Sequence, residues 1–406
     1  MITFDIDKNS IYFKTLLKKN KKIHLFLHND DENKNLGWVT HPVSTNSVLD
    51  KLVVARIKKF KYDTLVLVGV GGSINASRAI ISALPTKINV IYIGENFENI
   101  NSILDTLKTK KPLFHIMSSS GDTLEPLIAL HQIEKFLTSN QMKINEHMLI
   151  STSNMQGYLY KYGVKHKINI ITYPNNYPGR FSAIFNHLSN IILAKLDVNS
   201  FIQGAKDAYF ELYKDLDNPC YHFAVNRIFN QTKKKKKIEL ISVFADQLKG
   251  IAEWYCQLIS ESEGKDNKGA FPVVMKMSKN LHSYEQFLQQ GADICYEQFI
   301  LTKDVDSSKY ICPDKDCPSA QFSSMTFDEI NSTCFSSVKA AHDKNKIPNN
   351  IILLDKLDEY NFGYLFYFFE KACAMSCMLK NIDPFSQPGV DDYKNNMKIK
   401  LSQNKK

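Results

Sequence analysis

The sequence predicts an α/β protein wound around mainly parallel sheets, and three observations carry that prediction. Residues 64–70, TLVLVGV, form a continuous β-prone run, the pattern of a strand buried on both faces. Gly71 and Gly72 turn the chain at once, with Ser73 placed to cap a helix that runs to about Leu84, just before Pro85. The same rhythm of strand, turn and helix then recurs along the chain, which means a doubly wound sheet.

In order, the N-terminal MITFDIDKNSIYFKTLL carries two aspartates and no long apolar core, so it does not read as a secretory leader. After the first strand, Ile88 to Ile93 reads as a second and Leu113 to Met117 as a third. The loop SSSGDTLEP, residues 118–126, follows, and Leu124, Leu127, Ile128 and Leu137 mark a helix behind it. His147 to Ser151 and Ile168 to Tyr173 read as further strands. The polar stretch from Ala205 to Lys237 is the natural division of the chain. Beyond it, Ile238 to Ala245 is strand-like, Leu248 to Ile259 helical, Ile351 to Leu354 strand-like and Asn361 to Leu379 a long helix. Its apolar part, Phe362 to Phe369, is interrupted by Glu370 and Lys371, too short for a bilayer and suited to burial. Residues after Asn381 read as a C-terminal extension that must pack back on the core.

Composition narrows the partners. The net charge of +9 is concentrated in runs, Lys18 to Lys22 and Lys233 to Lys237. No aromatic residues alternate with them, so they read as solvated surface rather than a nucleic-acid or membrane face. The eight cysteines lack C-x-x-C spacing: Cys312 and Cys317 are five apart, and Cys373 and Cys377 share a helix face. Reduced thiols in the cytoplasm are expected, with no metal site.

Two turns are placed for binding, since ligands of such sheets sit at the carboxyl ends of strands. GVGGS, residues 69–73, is either a phosphate cradle or simply a tight turn. A dinucleotide fingerprint would need glycine at Ile74, which counts against NAD even though Glu95 stands where a ribose-binding acid belongs. The Ser118 loop offers hydroxyls from Ser118, Ser119, Ser120 and Thr123 at a helix start, suited to an anion or to plain capping. Arg180, in PGRFSAIF, can add positive charge. LISESEGKDNKG gathers Glu261, Glu263 and Lys265 in a glycine-punctuated turn, and His282 follows in NLHSYEQFLQQG. HExxH, Walker A and G-x-S-x-G elements are lacking.

These pieces together resemble the phosphoglucose isomerase family, especially its shorter bacterial forms. GVGGS, the Ser118–Glu125 loop, GRFS at 179–182, LKGIAEWYCQLISESEGKDNKG, LHSYEQFLQQG and DPFSQPGVDDYKNNM stand in the family's order over roughly residues 50–400. The resemblance implies two sugar-isomerase (SIS) α/β sandwich domains at 51–205 and 206–380, an N-terminal segment 1–50 and an extension 381–406. It also implies a cytoplasmic homodimer that interconverts glucose 6-phosphate and fructose 6-phosphate without cofactor or metal. Carried over by position, Glu261 matches the proton-transfer base, His282 the histidine of ring opening, entering from the partner subunit, and Lys394 the lysine at the same end. Gly72, Ser73, Arg180, Gln257 and Gln387 match substrate-contacting positions, and Ser118, Ser119, Ser120 and Thr123 the phosphate loop. The family usually reads Ser-Lys-Ser/Thr-Gly-Thr-Thr in that loop, so Ser119 removes a cation and Asp122 adds an anion.

Aldose–ketose exchange needs the ring opened, a proton taken from C2 and the same face reprotonated at C1. A carboxylate does this only where the enediolate is stabilised, the part expected of Arg180. The altered loop motivates one alternative, a sugar-phosphate sensor without catalysis. Glu261, His282 and Lys394 together argue against it, because a sensor needs no acid–base set.

Overall fold

A computed structural model describes residues 2–3, 11–28, 35–44, 51–94, 99–174, 177–214, 217–304 and 307–403. Its strands are β1 (Ile2–Thr3), β2 (Thr64–Val68), β3 (Asn89–Ile93), β4 (Pro112–Met117), β5 (Met148–Thr152), β6 (Asn169–Thr172), β7 (Ile238–Val243), β8 (Phe271–Lys276), β9 (Cys295–Thr302) and β10 (Asn349–Leu354). They form two sheets of order β3-β2-β4-β5-β6 and β1-β10-β9-β7-β8. Every pairing is parallel except that of β1 with β10. The α/β expectation is met, and the apolar run is indeed a central strand: all five residues of β2 are buried.

In the first sheet β3 lies on one side of β2 and β4 on the other, so the winding reverses between β2 and β4. That reversal opens a crevice where ligands bind in such folds, and the turns at Gly71 and Ser118 flank it. The strand ends are tightly packed there. A Cβ on Gly69 would stand 3.3 Å from Met117 O, and one on Gly94 2.5 Å from Gly69 O.

The long helix Glu359–Leu379 ties the two sheets together. It is buried on nearly every side from Phe362 to Leu379, as its apolar run predicts. One apolar cluster extends from Leu65 and Leu67 through Trp254 and Phe366 to Ile241 and Val243. Trp254 meets Phe366 edge-on, with ring centroids 4.6 Å apart. No helix among the described residues is long and apolar enough to cross a membrane.

Ser73 does not cap a helix: Gly71, at φ +54°, starts a 3₁₀ turn that consumes Ser73, and the helix begins at Asn75. The polar stretch from Ala205 to Lys237 overlaps two helices, Val198–Lys214 and Pro219–Thr232. Their apolar positions, such as Phe201, Ala208, Phe223 and Val225, are buried. The first of these crosses the Glu359–Leu379 helix at backbone contact, since a Cβ on Gly204 or Gly363 would meet the opposite helix's carbonyl at 1.9 Å. Glu95 lies outside the described residues.

Candidate active site

The helix Lys249–Glu263 carries Gln257 and Glu261 one turn apart, both toward the first sheet's crevice. Gln257 Nε2 donates to Glu261 Oε1 at 2.9 Å, and Asn75 Nδ2 donates to Gln257 Oε1 at 2.8 Å. This chain fixes Gln257's orientation, because its oxygen is occupied by Asn75 and only its amine is left for the carboxylate. Glu261 also lies 3.5 Å from Arg180 Nη1 and stays about one-third exposed, at 32% of its side chain.

Arg180 itself is buried, in the 3₁₀ turn Gly179–Phe181. Its Nε donates to Ser262 Oγ at 2.9 Å, its Nη1 to Gln387 Oε1 at 2.6 Å, and its Nη2 to the carbonyls of Pro384 and Ser386 at 2.7 and 3.2 Å. With Glu261 added, all five guanidinium N–H groups have acceptors. Burial lowers its pKa, with Glu261 opposing, and a guanidinium remains charged throughout. Arg180 therefore orients Glu261 and Gln387 and leaves a fixed positive charge beside the carboxylate. Lys265 Nζ binds the Asp383 and Ser386 carbonyls of the same loop.

Gly72 abuts this cluster. A Cβ there would lie 2.8 Å from Gly179 C, so the two turns meet backbone to backbone. His187 Nε2 lies 3.1 Å from Gly72 O, and its Nδ1 2.6 Å from Ser77 Oγ. A carbonyl only accepts, so Nε2 carries the proton and Nδ1 accepts from the serine. Burial holds this ring's pKa down to about 4, with the Gly72 contact opposing, so it is neutral.

The Ser118 loop sits beside Gly71 at the end of β4. Thr123 occupies the N-cap of the helix Leu124–Ser139 but makes no side-chain cap bond. The hydroxyls bond each other instead: Ser118 Oγ lies 2.9 Å from Thr123 Oγ1 and 3.5 Å from Ser120 Oγ, and Ser120 Oγ 3.2 Å from Thr123 Oγ1. The helix's first amides thus have no side-chain cap, an arrangement that receives an anion. Ser119 turns away and donates to Ser153 Oγ at 3.1 Å. Asp122 is also turned aside: its Oδ1 accepts from Tyr158 N at 2.9 Å, the first residue of the helix Tyr158–Lys165. The carboxylate serves as that helix's cap, because Gly157 at the cap position has no side chain to do so.

The structure thus gathers Gly72, Ser73, Ser118, Ser120, Thr123, Arg180, Gln257, Glu261 and Gln387 around one crevice. Among the described residues, His282 and Lys394 make none of the hydrogen bonds or ion pairs of this cluster. His282 is exposed near the start of the helix Leu281–Gln290, and Lys394 is exposed on the helix Asp391–Gln403. Asn75, Ser262 and the carbonyls of residues 383–386 were not anticipated. Only Ser262 had a local signal, standing next to Glu261.

Glu263 has a different place. It is fully buried and paired with Arg227, which also holds Glu239 at 2.7 Å, and with Lys380 at 2.7 Å. Burial raises a carboxyl's pKa, but Arg227 and Lys380 overcome that and keep Glu263 well below the usual range. It is a structural anion.

A cavity of about 880 Å³ lies instead over the end of the second sheet, lined by Phe244, Asp246, Thr302, Asp304, Phe327 and Asp328 among others. Three aspartates and no basic side chain face it. Asp246 is paired with Lys276 Nζ at 2.8 Å, and the other two carboxylates disfavour an anion there.

The phosphoglucose isomerase model matches residues 57–405. A glucose-6-phosphate isomerase of Onion yellows phytoplasma (strain OY-M) is 33% identical over 407 residues, spanning 95% of each chain. Among solved structures, a hypothetical protein from Thermus thermophilus superimposes with a TM-score of 0.86 at 20% identity, covering 99% of this chain and 100% of the other. A glucose-6-phosphate isomerase from Chlamydia trachomatis gives a TM-score of 0.71 at 20% identity, covering 98% of this chain and 77% of the other. These two likenesses concern the fold, and the family model and the sequence identity go further: the chain belongs to the phosphoglucose isomerase family.

Proposed function

We infer that this chain interconverts glucose 6-phosphate and fructose 6-phosphate through an enediolate, with Glu261 shuttling the proton between C2 and C1. The observation that carries the reading is the Glu261 carboxylate itself, held by Gln257 at 2.9 Å beside the charge of Arg180 and next to two anion-suited turns. In the reaction Gln257 and Gln387 orient hydroxyls. Ser118, Ser120 and Thr123, with Gly72 and Ser73, grip the phosphate as a remote anchor. Ser119 stands at the edge of this loop. His282 and Lys394 move protons between the ring oxygen and the anomeric hydroxyl. A coupled isomerase assay with chelator present tests the activity. Turnover of fructose 6-phosphate to glucose 6-phosphate is expected, and no turnover, or turnover only after a metal is added back, overturns the reading.

We also propose a cytoplasmic homodimer of two sugar-isomerase domains, 51–205 and 206–380, with flanking segments 1–50 and 381–406. In it, His282 reaches the partner's site. Its exposure supports this, as do the neighbouring Tyr284 and Phe287, exposed at 51% and 44%. Mixing Glu261→Gln subunits with His282→Ala subunits should restore activity, since one site of each mixed dimer then has both groups. Failure of reassembled mixtures to recover activity would place His282 in its own subunit's site.

The loop yields a graded expectation. Asp122 already caps a helix, so Asp122→Thr alone should lower stability by about 1 kcal/mol and change KM little. Ser119→Lys supplies a cation at the edge of this loop, and a cation within about 6 Å of the phosphate is worth on the order of 1 kcal/mol per unit charge at intermediate dielectric. It should lower KM several-fold at low salt, with the gain shrinking as ionic strength rises. An unchanged KM at low ionic strength would show that the loop faces away from the phosphate.

A further inference from the structure

His342, on the helix Phe327–Lys344, is fully buried with a carboxylate at each ring nitrogen. Nδ1 lies 2.6 Å from Glu297 Oε2, and Nε2 lies 3.2 Å from Glu285 Oε2. Carboxylates have no donor of their own, so both contacts are hydrogen bonds only when the ring carries both protons. Glu297 stands on β9, wholly buried, and its other oxygen accepts from Ser242 of β7. Glu285 stands on the helix Leu281–Gln290, three residues after His282.

That helix has little else to hold it. None of its residues is fully buried. Leu281 and Leu288 pack partly on the apolar cluster beneath, and Gln289 accepts from Asn345 Nδ2. The pair of Glu285 with His342 is its charged tether to the sheet.

We propose that His342 is a positioning residue for the isomerase reaction: clasping Glu285 and Glu297 together, it fixes the direction in which the Leu281–Gln290 helix presents His282. This rests on the reading of His282 as the group that moves protons at ring opening. A helix lying on the surface can roll or slide, and a displacement of about 1 Å at a catalytic group costs on the order of 10²-fold in rate. An imidazolium between two carboxylates resists both motions, because rolling in either direction stretches a charged hydrogen bond.

The clasp also has a pH range. Burial alone would depress the ring's pKa, but Glu297 and Glu285 overcome it and hold it up to about 9. Asp343, next along the same helix, is occupied by Lys339 at 2.6 Å and by Asn349 at 2.7 Å, and the Phe299 ring stacks on the imidazole. The folded pKa lies above the ordinary value of 6.5, so the clasp is complete below about 6.5 and lost as pH rises through about 9. A neutral ring keeps one N–H for two carboxylates.

The test is a cycle of His342→Asn, His282→Ala and their double variant, with Glu285→Gln as a second, milder break in the tether. His342→Asn should lower kcat by on the order of 10- to 100-fold with KM near wild type, because the phosphate grip belongs to the other sheet. The double variant should be no slower than His282→Ala alone, since a residue acting through another adds nothing once that other is gone. Glu285→Gln should lower kcat in the same direction and move its alkaline fall to lower pH. Additive losses, or a Glu285→Gln enzyme with wild-type kcat and pH profile, would overturn the proposal. If His282→Ala proves fully active, the catalytic reading beneath fails instead, and hydrogen exchange then decides on the tether. Faster exchange across residues 281–290 in Glu285→Gln supports it, and unchanged exchange removes it.

Discussion

Glu261→Gln should lower turnover by at least about 10²–10⁴-fold while the protein melts within a few degrees of wild type. The substitution keeps shape and one accepting oxygen but removes basicity. Its new amine must face Gln257 Nε2 or Arg180 Nη1, both donors in the native cluster. The opposition is limited, because the side chain is partly exposed and water can take the displaced hydrogen bond. A loss of about 1 kcal/mol in stability is therefore expected beside a much larger loss in rate. Steady-state rates together with denaturant midpoints separate the two. A Glu261→Gln enzyme with wild-type turnover would remove the base assignment altogether.

The converse result is expected two residues on. Glu263→Gln should cost about 3–5 kcal/mol of stability, because it leaves Arg227 and Lys380 buried with one carboxylate fewer. Its effect on the chemical step at temperatures where the protein stays folded should be small by comparison. The pH behaviour has a definite sign. A carboxylate held below its ordinary pKa contributes stability that is present above the ordinary carboxylate range and lost as pH falls through its folded value. Acid unfolding of the wild type should therefore need a lower pH than that of Glu263→Gln. If Glu263→Gln folds with unchanged stability but does not turn over, the roles of the two glutamates are exchanged.

These two residues also show where sequence reading stops. Glu261 and Glu263 share a charged turn in the sequence, and nothing local distinguishes base from structural anion. On a helix they point roughly 200° apart, so one faces the crevice and the other the core. What marks Glu263 is Arg227, 36 residues away. The turns at Gly71 and Ser118 were legible because a strand, a glycine and a helix start are consecutive in the chain. β9 was not, since Glu297 and Gln298 interrupt its apolar run. Their partners, His342, Ser242, Glu239 and Asn350, are all 45 or more residues distant. Asp122 carries the same lesson with the opposite sign. Read alone it threatens an anion site, yet its carboxylate is directed to the helix that starts at Tyr158.

The meeting of Gly72 with Gly179 bears on how this site can change over generations. Elsewhere a crevice is widened or narrowed by exchanging one side chain for another. Here main chain rests on main chain, with no room for a methyl group on Gly72, since a Cβ there would stand 2.8 Å from the Gly179 carbonyl carbon. Gly72 follows β2, and Gly179 leads straight into Arg180. A side chain on Gly72 would force the two turns apart, whereas a Cβ on Gly179 would make only ordinary contact, 3.7 Å from Gly72 Cα. Variants that accept a bulkier or smaller sugar should therefore arise at Gln257, Gln387 or the Ser118 loop, where side chains form the wall. Gly72 should stay as it is.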